Sequence, residues 1–448
     1  MAGLSVSLYT ALQTLQNTQT EIQTASNNIS NAATTGYAEE TAVQTENPAV
    51  LTTSGWLGTG ATISRITSAR NQFLEQQLMS AMSDDSQYSS LSTQLTAIQS
   101  ACADSGDDGI SQALGNFFSA WSTLPQDPTG LTGQTAVYSA AQNLASAVQS
   151  TYNQLNQIAT QMPGQIENTV NQANALIAQI AQLNTSIAQS QTPTGQANQL
   201  SDQRYQAMDS LAQLIPVSFS QDPATGMVTV TTTDASGSLR VVSGGTATPL
   251  PTSLASPITS TITGGQLGGL LTAQTDLNGY IGQLNTFTST LMSQVNNISE
   301  GSEGNPPNPA LAVFSAVSGS EASSITASTT FMGGLTAAEL SSSAQAIADL
   351  QNSQVTFTDG TNVTNATPEQ YLSNIQQNVG DDVQQANNNQ SFYDALKTQL
   401  QTQQQSVSGV STDQEMVNVI QDQQVYEEAA KVVETVSSLM SDVISMVT

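Results

Sequence analysis

The chain has 448 residues, long enough for two or more domains with real cores, yet only 9% of them are charged, against about 25% in an average soluble domain. Acids outnumber bases 34 to six, and the formal net charge of −28 disfavours nucleic acid and anionic membrane as partners. With no histidine and one cysteine, Cys102, there is no Ser–His or Cys–His pair, no internal disulfide and no histidine metal site.

The first predicted element is an amphipathic helix over residues 4–29. Leu4, Leu8, Leu15, Ile22 and Ile29, with Ala11 and Leu12 together at one step and Ala25 at another, repeat at steps of four and three around a polar Thr18. Such a repeat makes an apolar seam that needs a helical partner. Asn27, Asn28, Asn31 and Gly36, within NNISNAATTGY, then take the chain out of helix. Residues 38–66 alternate between turn signals at Asn47-Pro48 and Gly58-Thr59-Gly60, which predicts an extended, partly β segment.

Helical periodicity returns from Arg65 through Leu78 and Ile98, breaks at DSGDDG, and resumes through Phe117 and Trp121 to a stop at Leu124-Pro125. Residues 135–190 predict a long helix with a break or kink at Pro163-Gly164. A shorter helix through Met208 and Leu214 precedes a β-hairpin around Asp222 to Gly226 and a third strand at Leu239 to Val242. Helix resumes over 264–298 after GGQLGG. Residues 301–365 mix Pro-rich loop with a strand–turn signal, TFTDGTNVT. Pro368 opens another helix, and beyond Gly409 a second seam runs through Tyr426, Ala429, Val433, Val436, Met440, Val443 and Val447.

The pattern predicts a mainly α fold: an elongated antiparallel helical rod with paired terminal coiled-coil helices and small inserted β-rich modules. The expected domains are a coiled-coil domain from 1–60 and 405–448, a helical rod domain from 61–215, 264–300 and 366–404, and β-leaning inserts at 216–263 and 301–365. Gln, Asn, Ser and Thr flank both seams where a freestanding coiled coil carries Glu and Lys. That composition suits helices packed on several sides within a larger assembly.

The chemical candidates are weak. Cys102 beside Asp104 reads as a packed thiol, since carboxylates raise a thiol's pKa. DSGDDG lacks EF-hand ligands at its third and twelfth positions, where Gly106 and Gly115 stand, and reads as a turn. GGQLGG lacks a P-loop lysine and reads as a helix entry. Adjacent acids such as Asp84-Asp85, Asp381-Asp382 and Glu427-Glu428 point apart on a helix. No catalytic residue, metal or cofactor is expected. No apolar run reaches the roughly 18 residues a membrane span needs, and MAGLSVSLYTALQTLQ lacks the features of a cleaved signal peptide.

LYTALQTLQNTQTEIQTASNNISNAATTGY, with Asn27, Asn28, Asn31, Gly36 and Tyr37, resembles the N-terminal signature of flagellar axial proteins: rod, hook and hook-associated proteins. SGVSTDQEMVNVIQDQQVYEEAAKVVETVSSLMSDVISM resembles their C-terminal signature. FFSAWSTLPQDPTG, ANQLSDQRYQAMDSLAQLIPVSFSQDPATGMVTV and GGQLGGLLTAQTDLNGYIGQLNTF resemble the hook-associated members at the hook–filament junction. The resemblance implies a non-enzymatic structural subunit of the bacterial flagellum, serving motility and secreted by flagellar type III export without a cleaved signal peptide. It would form a ring of copies through its terminal helices, with hook protein, a second hook-associated junction protein and an export chaperone as partners. A hook protein or the second junction protein shares these ends but would lack the FSAW and DQR segments. A secreted enzyme on an axial scaffold would need a catalytic constellation in the inserts. The family usually places a basic residue after Gly-Tyr; here Ala38, Glu39 and Glu40 follow.

Overall fold

The structure, a computed structural model, describes every residue except 1, 53–54, 104–108, 191–196, 235–236, 253–260, 302–307, 334–335, 361 and 448. It is 71% helical with small antiparallel sheets, a mainly α fold. The helices are α1 (Ala2–Asn31), α2 (Gln72–Cys102), α3 (Ile110–Thr123), α4 (Leu131–Ser190), α5 (Asn198–Leu214), α6 (Gly265–Ser299), α7 (Glu321–Ser324), α8 (Ala337–Asp349), α9 (Pro368–Ser408) and α10 (Thr412–Val447). They fall in two compact units. One comprises Met1–Ser86, Val170–Gly265 and Phe392–Thr448; the other comprises Gln87–Thr169 and Gln266–Ser391. The divisions lie inside α2, α4 and α9 and after the first residue of α6.

The first unit holds α1, α5 and α10, parts of α2, α4 and α9, and two groups of strands. β1 (Glu40–Glu46) pairs antiparallel with β4 (Ala61–Ser68), and between them β2 (Val50–Thr52) pairs with β3 (Gly55–Leu57). Helix was expected from Arg65, but Arg65 and Ile66 pair with Val43 and Ala42 across the ladder, so α2 starts later. Asn71 Oδ1 accepts from the Phe73 and Leu74 amides at 3.1 and 3.3 Å, capping its first turn. β5 (Ser218–Gln221), β6 (Val228–Asp234), β7 (Gly237–Ser243) and β8 (Thr246–Ala247) form one sheet in sequential order. Val228, Val230, Val241 and Val242 are buried there, as the predicted hairpin and third strand require.

The second unit holds most of the buried aromatic residues. Phe117, Phe118, Trp121, Phe287, Phe314, Phe331 and Phe357 are fully buried in one cluster. Phe117 meets Phe118 and Trp121 edge-on at 5.5 and 6.1 Å, and Phe357 stacks on Tyr371 at 4.1 Å. α4 is not interrupted at Pro163: Met162 and Ile166 on either side are buried, and their packing outweighs the hydrogen bond that proline removes. Residues 301–365 are less β-rich than expected. β9 (Phe314–Ser315) pairs with β10 (Thr326–Ala327), β11 (Val355–Asp359) with β12 (Asn362–Ala366), but α8 lies between, entered by a Thr336/Glu339 capping box.

DSGDDG falls largely outside the described residues. GGQLGG opens α6 as a close approach: a Cβ on Gly265 would meet Leu214 backbone at 2.4 Å, and one on Gly269 the Gln87 carbonyl at 2.3 Å. The glycines allow backbones to touch.

Candidate assembly surface

α1 and α10 pack against each other. They run antiparallel: Val6 to Thr14 share a groove with Val425 to Val432, and Glu21 to Asn28 share another with Glu415 to Asp422. The seam between them is narrow because its buried positions are small. Ala11, Thr18 and Ala25 of α1 and Ala429 and Val436 of α10 are buried. Leu4, Leu8, Leu15, Ile22 and Ile29, with Val433, Met440 and Val443, are half-buried along it. Two residues of the predicted seam lie off it. Leu12, 44% exposed, sits one residue past Ala11 and is turned about 100° away from it. Tyr426 is 42% exposed, and Val425 beside it 44%. The side chain of Val447 lies outside the described residues.

α10 also carries an exposed apolar row, two members of which, Val425 and Val432, border the groove with α1. Val425, Val432, Leu439 and Met446 recur every seven residues and are exposed, as are Val417, Ile420 and Ile444. Glu427, Glu428, Lys431, Glu434 and Asp442 are exposed as well, whereas Glu415 turns inward and is buried.

The NNISNAATTGY loop fastens this pair to the rest of its unit. Asn28 is buried and uses all four of its amide hydrogen-bonding positions. Its Nδ2 donates to the Glu40 carbonyl at 2.9 Å and to Glu415 Oε1 at 2.8 Å. Its Oδ1 accepts from the Tyr37 hydroxyl at 2.7 Å and the Glu40 amide at 3.0 Å. One side chain thereby ties α1, β1 and α10 together. Burial, with Glu40 adding to it, pushes the Tyr37 phenol well above its ordinary range, so it stays a donor. Asn31 donates back to the Asn27 carbonyl at 3.0 Å, closing the end of α1. Gly36 has φ 76°, and a Cβ there would meet the Gln206 side chain at 2.6 Å.

Arg70, which the sequence reading did not single out, brings a cation to this loop, whose Gly-Tyr is followed by no basic residue. Its Nη2 donates to the Gly36 carbonyl, Nη1 pairs with Glu75 at 3.0 Å, and Nη2 pairs with Asp202 at 3.0 Å. Its guanidinium lies 4.6 Å from the centre of the Tyr205 ring. Arg204, fully buried, donates through Nη1 to Asn184 at 3.0 Å and to the Gly226 carbonyl at 2.7 Å. Asn184 in turn donates to the Val228 and Gly244 carbonyls, both at 2.8 Å, which joins α4 and α5 to the sheet. Burial pulls Arg204 down to about 10.

The carboxylates around Arg70 set a pH dependence. Burial lifts Asp202 to about 6 against the opposing pull of Arg70. Burial, then Glu75, lifts Asp209 to about 7, and Asp209 Oδ1 is buried without a hydrogen-bond partner. Both folded-state values exceed the unfolded value near 4, so between about pH 4 and 7 the native chain binds more protons than the unfolded one. Stability from these groups is therefore full below about pH 4 and is lost as pH rises toward 7. Asp209→Asn should flatten this slope and raise stability at pH 8 by on the order of 2 kcal/mol, since it removes an unpaired buried charge. Urea titrations at pH 5 and 8 check it; an unchanged difference between the two would refute it.

Among the described residues no group of three or more acidic or sulfur side chains is arranged to hold a metal ion, and no helix is long and apolar enough to cross a membrane. Cys102 lines a partly open pocket of about 200 Å³ with Tyr280 and Leu372, and burial pushes its thiol to about 11. That agrees with the packed thiol expected from the sequence; Asp104, the carboxylate beside it in sequence, lies outside the described residues.

Comparison with known proteins gives the following matches. Residues 95–314 match the family model described as the flagellar hook-associated protein FlgK helical domain. Residues 8–37 match that of flagella basal body rod proteins, and 401–446 that of the flagellar basal body rod FlgEFG protein C-terminal region. These last two fall on α1 with its loop and on α10. Flagellar hook-associated protein 1 of Salmonella typhimurium is 28% identical over 64% of this chain and 52% of its own. Its counterpart in Escherichia coli is 28% identical over 64% of this chain and 53% of its own. The solved structure of the flagellar hook junction protein FlgK from Burkholderia pseudomallei aligns with 54% of this chain and 47% of that one, at 27% identity and a TM-score of 0.45. The chain thus spans about half the length of the curated relatives it matches.

Proposed function

The chain belongs to the flagellar hook-associated protein 1 family, and from that premise we propose that it is a structural, non-enzymatic subunit of the flagellum at the junction of hook and filament. The observation that carries this reading is the antiparallel α1–α10 pair. Each of its helices matches an axial-protein family, and α10 leaves a row of exposed apolar residues for neighbouring subunits. Its assembly partners are other copies of itself, hook protein on one side and a second hook-associated protein on the other. It is delivered outside the cell by the flagellar export apparatus, with an export chaperone as a partner beforehand.

A hook protein or second junction protein is the weaker reading, because FFSAWSTLPQDPTG lies within the hook-associated helical domain match. A secreted enzyme would need an acid–base or nucleophilic set in the inserts at 216–263 and 301–365; the chain has no histidine, and its sole thiol, outside those inserts, is held protonated. Deleting the chain from its own bacterium and imaging the cells by electron microscopy tests the proposal. Hooks without filaments, with filament protein lost to the medium, are expected; filaments of normal length on the deletion strain would refute it.

A further inference from the structure

The hairpin of β2 and β3 presents one exposed apolar face. Its register sets Leu51 opposite Trp56 and Val50 opposite Leu57, so each pair shares one face. Leu51 and Trp56 are 65% and 74% exposed, while Leu57 on the other face lines the groove between α1 and α10. Strands this short do not hold together in water by themselves. The base of the arm is nevertheless fixed to α1: Asn17 Nδ2 donates to the Ala61 carbonyl at 2.7 Å and its Oδ1 accepts from the Ile63 amide at 3.3 Å. A fixed stem carrying an exposed indole is built to meet a partner.

We propose that Trp56 and Leu51 of one copy insert into the α1–α10 groove of the next copy. This inference rests on the assembly reading above and names one of its contacts. The groove measures about 510 Å³ and is lined by Val6, Ala11, Leu57, Val425, Ala429 and Val432, with Glu428 its one charged residue. An apolar cavity of about 150 Å³ holds a benzene ring, so an indole and a leucine side chain fit. Charge selects the same pair of surfaces. In a chain of net charge −28, two copies repel wherever acids face one another, but residues 47–64 and 1–20 contain no charged residue. The two faces of the hairpin point in opposite directions, so the knob points away from the groove of its own chain. That arrangement is heterologous and propagates from copy to copy, as a ring requires, rather than closing into a two-fold dimer.

The test uses full chains in the bacterium that makes them. In one arm, Trp56→Ala should lower incorporation into the flagellar axis about tenfold or more, with the thermal melt of the purified protein unchanged, while Trp56→Phe incorporates nearly normally. In the other, differently tagged chains carrying Leu51→Cys and Val425→Cys, both with Cys102→Ser, are co-expressed and oxidised on sheared flagella. A disulfide dimer bearing both tags is expected. Normal incorporation of Trp56→Ala overturns the inference, as does incorporated chain that cross-links to a different protein or not at all. Absence of the wild-type chain from the axis would instead overturn the assembly reading itself.

Discussion

Asn28→Ala should loosen α1 from α10 at a cost of about 3–5 kcal/mol, out of proportion to the few atoms removed. The Asn28 amide satisfies the Tyr37 hydroxyl, both backbone groups of Glu40 and the buried Glu415 carboxylate. Each buried group left without a partner costs about 1–3 kcal/mol, and an ionised one more. The total falls below the sum because Tyr37 and Glu40 are only half-buried and can recruit water. Asn28→Asp keeps the shape but replaces the donor to Glu415 with a second carboxylate less than 3 Å away. It should be worse than alanine at pH 7 and recover on acidification, when the two carboxylates share a proton. In that variant the folded-state pKa of the pair is raised, so its stability is present at low pH and lost as pH rises. Amide exchange in α10 measured at pH 5 and 7.5 reports both effects. Protection equal to wild type in both variants would show that the amide network is not what fastens the pair.

The Asn28 network also marks how far the sequence could be read. The four–three spacing of apolar residues predicts both α1 and α10, because a helix's seam is written in its own local sequence. The motif around Asn28 is visible as a resemblance, but its partner Glu415 lies 387 residues away, and nothing local announces that pairing. Arg70 is hidden for the same reason, one polar residue among many until the fold brings it to its partners. Although Asp202 and Arg204 stand in the DQR segment, nothing local announces what they pair with. A basic residue in a chain with only six of them was the available signal. α8 was missed for a different reason. Its apolar residues are sparse, and only the Thr336-x-x-Glu339 capping box announces it. At Pro163 the local rule was applied correctly, and burial on both sides overrode it. Leu12 and Tyr426 show the limit of spacing alone, which does not decide between two adjacent apolar residues when the seam is made of alanine.

The largest functional effect is expected from aspartates on α10, and its cause should depend on which side they occupy. Val436→Asp places an unpaired carboxylate in the buried seam, where desolvation costs about 3 kcal/mol or more and the pair should open even in the isolated chain. Leu15→Asp and Val433→Asp, at half-buried seam positions, should act in the same direction and less strongly. Val432→Asp and Leu439→Asp change the exposed row, where the isolated chain should lose no more than about 0.5 kcal/mol. If that row is covered by neighbouring copies, the same substitutions place a charge in a dry interface and remove filaments as completely as a seam mutation does, with export intact. Circular dichroism melts separate the two groups in the purified chain, and filament counts by electron microscopy should bring them back together in cells. Motile cells with normal filaments carrying Val432→Asp and Leu439→Asp together would mean that the row remains in water after assembly, and that α10 joins the structure through its seam with α1 alone.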